Sequence, residues 1–226
     1  MINISINKEF DKEVFSDFWG FSVGGVDFSK NGIKKIHPKI TKQNHKKYID
    51  DFYTNNKQVV LDSKNELEYS VNKTQDAYFK AIYDVFGKDY SGHSYTCLLS
   101  IFDCNPRYIE EKQFQVFFKR DVSGKLGVVY HEILHFAFFE HAGTHCSSVV
   151  ETLNSNEGSY WALSEIFNVI ILNTSPLQDI LKREEQVFYP MLAPHVEPIK
   201  KLFMENRVDF CTFLSASLSY LESVKK

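Results

Sequence analysis

The pentapeptide His131-Glu132-Ile133-Leu134-His135 lies near the middle of this chain, with apolar residues on both sides. If the stretch is helical, its two histidines lie on one face about one turn apart. Two neutral imidazoles so placed can bind one Zn²⁺, and the carboxylate between them can act on a water molecule at the metal. The simpler alternative is a pair of core histidines with backbone partners. The apolar flanks predict that the motif lies in a buried amphipathic helix rather than on a solvated surface.

The size and composition of the chain indicate a globular protein with one sizeable core. It has 226 residues, of which 43% are hydrophobic and 24% charged, which is ordinary for a soluble domain. We predict a single domain over residues 1–226. In it, an N-terminal helical and loop portion (1–94) is followed by a central portion (95–172) and by C-terminal helices (173–226).

The charge pattern argues against a nucleic-acid partner. The formal net charge is −3 and the isoelectric point is near 6.2, whereas phosphate contacts require a basic surface. Residues 30–47 contain seven lysines, but a charge run of this kind usually forms a solvated face. We therefore expect no nucleic-acid contact.

The N-terminus and the cysteines indicate a cytoplasmic protein. The first residues mix acidic and basic side chains without the apolar core of a secretory signal, and no apolar run is long enough to cross a bilayer. The four cysteines are scattered, without a CxxC pair, which favours free buried thiols in a reducing compartment. They are Cys97, Cys104, Cys146 and Cys211. Cys146 follows the motif closely, but we do not expect it to bind metal.

Hydrophobic periodicity predicts an α+β fold. Residues 2–6 alternate like a strand, residues 20–40 form a loop-rich connector, and residues 42–87 are helical up to Gly87. The β-type runs Tyr95–Phe102 and Phe114–Phe118 are expected to form a long hairpin. The order is helix, hairpin, motif helix and further helices, which is not the alternation of an α/β protein.

Three helices are predicted in the second half of the chain. Ser123 and Gly124 precede the motif helix, which is expected to run to about Glu140 before Gly143 stops it. The other two cover Tyr160–Leu172, which is strongly apolar, and Asp209–Val224.

A catalytic zinc site usually has three protein ligands and an open fourth position, so a third ligand is required. His141 is ten residues after the first histidine of the motif. If the helix continues, however, it lies about 9 Å along the axis and about 120° around it from His135, too far to share a metal. His145 would need a tight return of the chain through residues 142–144. A glutamate from a later segment is the better candidate.

Three glutamates follow the motif, namely Glu151, Glu157 and Glu165. Glu165 stands within the apolar helix, where a lone carboxylate is costly unless it is paired or bound to metal. Its alternative is a position on the solvent edge of that helix. Glu157 precedes Gly158 and is more typical of a loop or first turn, so it is the second choice. We predict Glu165 as the third ligand.

The stretch Val128–Ala137, followed by a glutamate on a later helix, resembles the gluzincin branch of the zincin metallopeptidases. This resemblance implies that His131, His135 and Glu165 bind zinc, that Glu132 is the general base, and that the substrate is a peptide or protein. It also implies a zincin-like fold, mostly helical, with a small hairpin and edge-strand sheet packed on the active-site helix. The edge strand would be Phe114–Phe118.

The chain departs from that family at one position. Many gluzincins have an aspartate four residues after the ligand glutamate, to orient the first histidine, and this chain has Val169 there. Asn168 or Asn173 could accept the ring N–H instead. Tyr189 and His195 are candidate donors to an oxyanion. We prefer the simpler interpretation that Tyr189 is an aromatic residue in a turn and His195 a surface histidine.

The residues predict zinc-dependent hydrolysis of an amide, with Glu132 accepting a proton from water. Two alternatives stay open. One is a zinc amidohydrolase that acts on something other than peptide, and the other is a non-catalytic zincin-like module for binding or regulation. Gly127, one turn before the first histidine, either lets another backbone pass close to the helix or is a tolerated defect, which we prefer.

Overall fold

A small mixed β-sheet packs beside a larger set of helices. The computed structural model describes residues 1–207 and 209–224. Within them the strands are β1 (Ile2–Ile6), β2 (Ser22–Val23), β3 (Val26–Asp27), β4 (Tyr95–Ser100), β5 (Arg107–Tyr108) and β6 (Gln113–Phe117). The α-helices are α1 (Lys8–Phe18), α2 (His45–Asn55), α3 (Lys57–Phe86), α4 (Val122–His145), α5 (Ser147–Val150), α6 (Gly158–Leu172), α7 (Ser175–Leu181), α8 (Val196–Glu205) and α9 (Phe210–Ser223). A π-helical segment covers Ser29–Lys34 and a 3-10 helix covers Pro190–His195. The prediction of a mostly helical α+β chain is confirmed.

The main sheet has the strand order β1-β4-β6-β5. Strands β1, β4 and β6 are parallel, with Ile4 opposite Cys97 and Leu99 opposite Val116. Only β5 runs antiparallel, next to the start of β6. The predicted hairpin of β4 and β6 is therefore wrong. The outer position given to Phe114–Phe118 is wrong only at the start of β6, where β5 pairs with Gln113 and Phe114.

The burial of β4 and β6 explains that error. Most residues of both strands are buried on either face, so the two runs lack the polar and apolar alternation of a half-exposed hairpin. Near-continuous apolar strands are typical of parallel pairing. The chain reverses twice between them, and the hairpin that does form joins β5 to β6 through a turn in which the Lys112 amide donates to the Ile109 carbonyl.

Helix α4 carries the motif and lies between α3, α6 and β6. Asp121 caps its first turn by accepting from the amide of Gly124 at 2.6 Å. The helix runs through Gly143 to His145, so the predicted end near Glu140 is wrong. An interior glycine costs a helix only about 1 kcal/mol, which the packing of this almost wholly buried helix outweighs. Gly87, in contrast, ends α3 in the left-handed conformation, as predicted.

A disulfide bond joins Cys146, at the end of α4, to Cys211 in the first turn of α9. The prediction of four free thiols is therefore wrong for this pair, which is 65 residues apart in sequence. Spacing alone does not reveal which cysteines meet in space. Cys97 and Cys104 are free and buried, as predicted. Among the described residues, no helix is long and apolar enough to cross a membrane.

Candidate metal centre

The two histidines of the motif converge on one point. They lie one turn apart on α4, and their Nε2 atoms are 3.0 Å from each other. His135 is fully buried, whereas His131 is partly open to a cleft. The side chain of Asn168, on α6, donates to the backbone carbonyl of His131 at 2.9 Å and so fixes the spacing of the two helices here.

Glu165 reaches the same point from α6. Its Oε2 lies 3.2 Å from Nε2 of His131, and its Oε1 lies 3.4 Å from Nε2 of His135. Ligand atoms about 2.1 Å from a tetrahedral zinc ion are about 3.4 Å from one another. The 3.0 Å between the imidazole nitrogens and the 3.2 and 3.4 Å to the two different oxygens of Glu165 are of that order. In the described part of the chain, these three side chains form a group that could hold a metal ion.

The other candidate ligands lie elsewhere. Glu151 and Glu157 are exposed, and Glu157 accepts from the side chain of Asn154. Helix α4 continues past His141, whose ring stacks on that of His145 with centroids 4.3 Å apart. Neither of these histidines belongs to the cluster that the described residues form. Of the predicted third ligands, only Glu165 is brought to the motif.

The electrostatics give His135 and Glu165 the protonation states that metal binding requires, whereas Glu165 raises the pKa of His131 against the effect of burial. Burial, with the nearby Arg107, lowers the pKa of His135 to about 3, so its imidazole is neutral. Burial opposes the ionisation of Glu165, but His135, His131 and Arg107 more than offset it and hold its pKa well below the ordinary value. A neutral imidazole and an ionised carboxylate are the forms that act as ligands.

Glu132 lies beside the cluster without joining it. Its side chain is almost buried, and its Oε2 has no hydrogen-bond partner among the described residues. The nearest cation, Nη1 of Arg107, is 3.9 Å from that oxygen. Burial raises the pKa of Glu132 to about 7, against the opposing charges of His131 and Arg107. An unpartnered carboxylate oxygen next to this cluster is suited to exchanging protons.

Arg107, on β5, is a site residue that was not predicted from the sequence. Its Nη1 donates to Oε1 of Glu165 at 3.1 Å, and its guanidinium lies over the ring of Phe139, 5.8 Å from the centroid. Strand β5, at the edge of the sheet, therefore contacts the cluster through the guanidinium group of Arg107. The sequence contained a partial indication of its importance, because arginine is rare in this chain. Its place beside Glu165, however, depends on the β5–β6 hairpin.

The cluster opens into a cleft of about 190 Å³. Tyr189 lines this cleft, whereas His195 bonds the hydroxyl of Tyr220 and is not among the lining residues. The ring of Tyr189 packs on Trp161, with centroids 4.8 Å apart, and fills the space where a side chain at Gly24 would stand. Gly24 also has a left-handed φ of +57°. Glycine therefore suits this position both for its backbone conformation and for the space that Tyr189 occupies.

The segment after α7 forms one wall of the cleft. Asn173 holds it in place by bonding both the amide and the carbonyl of Glu185. Asn168 and Asn173 therefore bond backbone groups, and neither serves as the predicted acceptor for the ring of His131. A Cβ at Gly127 would stand 2.5 Å from Oε1 of Glu185. Gly127 thus makes room for the end of a neighbouring side chain, and not for another backbone.

No family model, no curated protein and no solved structure matches this chain. Any function must therefore be argued from the residues of the site.

Proposed function

We propose that this protein is a zinc-dependent hydrolase, and specifically a metallopeptidase with a zincin-like, gluzincin-type site. His131, His135 and Glu165 would hold the metal. One observation carries the proposal: two imidazole nitrogens and the two oxygens of one carboxylate converge, with 3.0, 3.2 and 3.4 Å between neighbouring atoms. Two histidines and a glutamate, with a fourth position open, are a common ligand set of catalytic zinc.

A bound zinc ion would supply Lewis acidity, which polarises a substrate carbonyl and makes water a nucleophile at neutral pH. The chain supplies the proton transfer. Glu132 accepts a proton from the attacking water through its unpartnered Oε2 and returns it to the departing amine. Arg107 orients Glu165 through the hydrogen bond to Oε1. The position of Tyr189 in the cleft favours it over His195 as a donor to the oxyanion.

The outer strand of the sheet supports a peptide as the substrate. Strand β5 places Arg107 beside the cluster and is the last strand of the sheet at this side. An extended peptide can pair with such an edge through its backbone. This edge replaces Phe114–Phe118 as the proposed binding strand, because β6 is partly covered.

A non-peptide amide is the second candidate substrate. The cleft of about 190 Å³ is smaller than the pockets of about 300–1,000 Å³ that usually hold drug-sized molecules. A small amide would fit it without any movement of the wall. The proposed zinc chemistry and the role of Glu132 are the same for both substrates.

The test is to measure zinc content and turnover in the wild type and in Glu132→Gln. We expect about one zinc per chain in both proteins. We expect the wild type to cleave casein or a peptide library, and the variant to be at least about 100-fold slower, since general base catalysis contributes about 10²–10⁴-fold. Glu157→Gln, which changes an exposed glutamate, is the matched control and should keep full activity.

The outcomes separate the alternatives. A wild type that binds no zinc would overturn the proposal. Cleavage of small amides but not of peptides would select the amidohydrolase. Stoichiometric zinc without turnover of any substrate would identify a binding module.

A further inference from the structure

The use of arginine in this chain is uneven. It has four arginines against twenty-two lysines. Three of the four arginines, Arg107, Arg120 and Arg183, line the small cleft beside the candidate metal cluster. None of the lysines in the described part of the chain lines that cleft. Lysine supplies positive charge almost everywhere else, so the cleft is distinguished by the type of cation it presents.

The three arginines come from separate parts of the chain. Arg107 lies on β5, Arg120 lies in the turn between β6 and α4, and Arg183 lies just after α7. Arg120 donates to Asp103 at 2.6 Å, and Nε of Arg183 lies 2.8 Å from Oε1 of Glu185. Their convergence is thus a property of the fold and not of one basic segment.

These guanidinium groups retain donors that the protein does not use. Nε of Arg107 and Nε of Arg120 are buried and have no hydrogen-bond partner among the described residues. The pair between Arg183 and Glu185 is close but lacks hydrogen-bond geometry, which leaves Oε1 of Glu185 without a bond. Buried polar groups are normally satisfied, so unused donors on residues that line a cleft favour a ligand that accepts hydrogen bonds.

The charge of the cleft favours an anion. Its lining contains three glutamates, Glu132, Glu165 and Glu185, whose charges balance the three arginines when Glu132 is ionised. A divalent cation on the metal cluster would leave the lining with an excess of two positive charges. Asp103, which bonds Arg120 from outside the lining, reduces that excess by one. A positive cleft attracts and retains negatively charged substrates.

Arginine is the side chain suited to one kind of anion. Its planar guanidinium offers parallel N–H groups that match the two oxygens of a carboxylate, and lysine offers only a point charge. Arg107 is already occupied with the metal ligand Glu165. Arg120 and Arg183 have no contact with the cluster, and their side chains are 27% and 39% exposed, so both can meet an incoming group.

We propose that Arg120 and Arg183 select substrates with a carboxylate side chain, so that the enzyme cleaves amide bonds next to aspartate or glutamate. This proposal rests on the hydrolase function proposed above. Arg107 serves the metal ligands, while Arg120 and Arg183 determine specificity.

The experiment uses the zinc-loaded protein and quenched fluorescent octapeptides in matched pairs. Each pair differs only by Asp against Asn, or Glu against Gln, at one position. We expect kcat/KM to be about 10- to 100-fold higher for the acidic peptide, as for a hydrogen bond between charged groups. Arg120→Gln and Arg183→Gln should each remove most of that preference, and Arg183→Lys should restore only part of it. Arg207→Gln, which changes the exposed fourth arginine outside the cleft, should keep the preference.

A binding measurement separates this proposal from the hydrolase function. In Glu132→Gln, fluorescence anisotropy should show tighter binding of the acidic peptide of each pair, and Arg183→Gln in that background should equalise the two. Equal affinities and equal kcat/KM values for acidic and amide peptides would overturn the specificity proposal. Turnover of both peptides would still support the hydrolase function. If the wild type cleaves nothing, the proposed hydrolase function is wrong. The affinities for the acidic and the amide peptide then decide whether the cleft selects carboxylates.

Discussion

Among the single residues of the site, Glu165 is the one that favours the proposed metal centre over a pair of core histidines. A fully buried carboxylate must be stabilised by partners, and this one has two imidazole nitrogens and a guanidinium. Arg107 alone could satisfy one of its oxygens. Its Oε2 lies 3.2 Å from Nε2 of His131, and the two Nε2 atoms lie 3.0 Å apart, as expected around the proposed cation.

Replacing Glu165 by Ala should remove zinc as completely as replacing His135 by Ala. Each substitution deletes one of three ligands, and the two that remain cannot hold the metal against dialysis. Zinc per chain after dialysis, measured by atomic emission, is the readout, and circular dichroism checks that the variants fold. Glu157→Ala is the control and should keep its zinc. Full metal retention by Glu165→Ala would assign the third ligand elsewhere.

The sequence could predict which three side chains converge but not their surroundings. His131 and His135 are linked by helical spacing, and the apolar neighbours of Glu165 mark it as a carboxylate that needs a partner. Both are local signals. The contacts of Arg107 and Tyr189 with the site depend on how distant segments pack, and no periodicity carries that information.

At the scale of elements, α4 shows how packing overrides local preference. It contains two glycines inside its span, yet neither ends it. Gly143 is exposed, and a Cβ there would meet nothing within 4 Å, whereas one at Gly127 would collide with the carboxylate of Glu185. The same residue type therefore borders open space at one position of the helix and the end of a neighbouring side chain at the other.

Gly143→Ala should stabilise the protein by about 0.5–1 kcal/mol, since alanine loses less backbone entropy in a helix. Gly127→Ala should gain less than this, or destabilise, because its methyl group must displace Glu185. Urea unfolding of the two variants and the wild type measures the difference. Equal stabilisation by both substitutions would show that the wall of the cleft moves away freely.

The elements themselves could be predicted wherever a local signal marks them. Gly87 ends α3 in the conformation that glycine favours, and Asp209 caps α9 by accepting from the amide of Thr212. The pairing of elements could not be predicted in the same way. Strands β4 and β6 are buried on both faces, so their sequences lack a pattern that sets direction or register.

At the scale of the whole molecule, Glu140 connects parts that are far apart in sequence. From α4 it accepts hydrogen bonds from Lys88, beyond the end of α3, at 2.7 Å and from Lys112, before β6, at 2.5 Å. His93 lies 3.2 Å away. Partial burial opposes ionisation of Glu140, but the bonds from Lys112 and Lys88 outweigh it and lower its pKa to about 2.

This depressed pKa predicts how stability depends on pH. The contribution of Glu140 should be complete above its ordinary pKa of 4.5 and should disappear as the pH falls toward about 2. Glu140→Gln should therefore destabilise the protein at pH 7, by about 1–2 kcal/mol given the partial exposure of the cluster, and much less at pH 3. Urea unfolding at both pH values measures this. Glu197→Gln, at an exposed pair, should show no such change, and a pH-independent effect at Glu140 would contradict the assignment.

Cys97 offers a way to follow the opening of the sheet. It lies in β4, paired between β1 and β6, and burial raises the pKa of its thiol above the ordinary value. An alkylating reagent needs an accessible thiolate, so the intact protein should not react at this position. Each molecule that acquires a label at Cys97 has separated its central strands at least once. The rate of labelling would then measure how often these strands separate in the absence of denaturant.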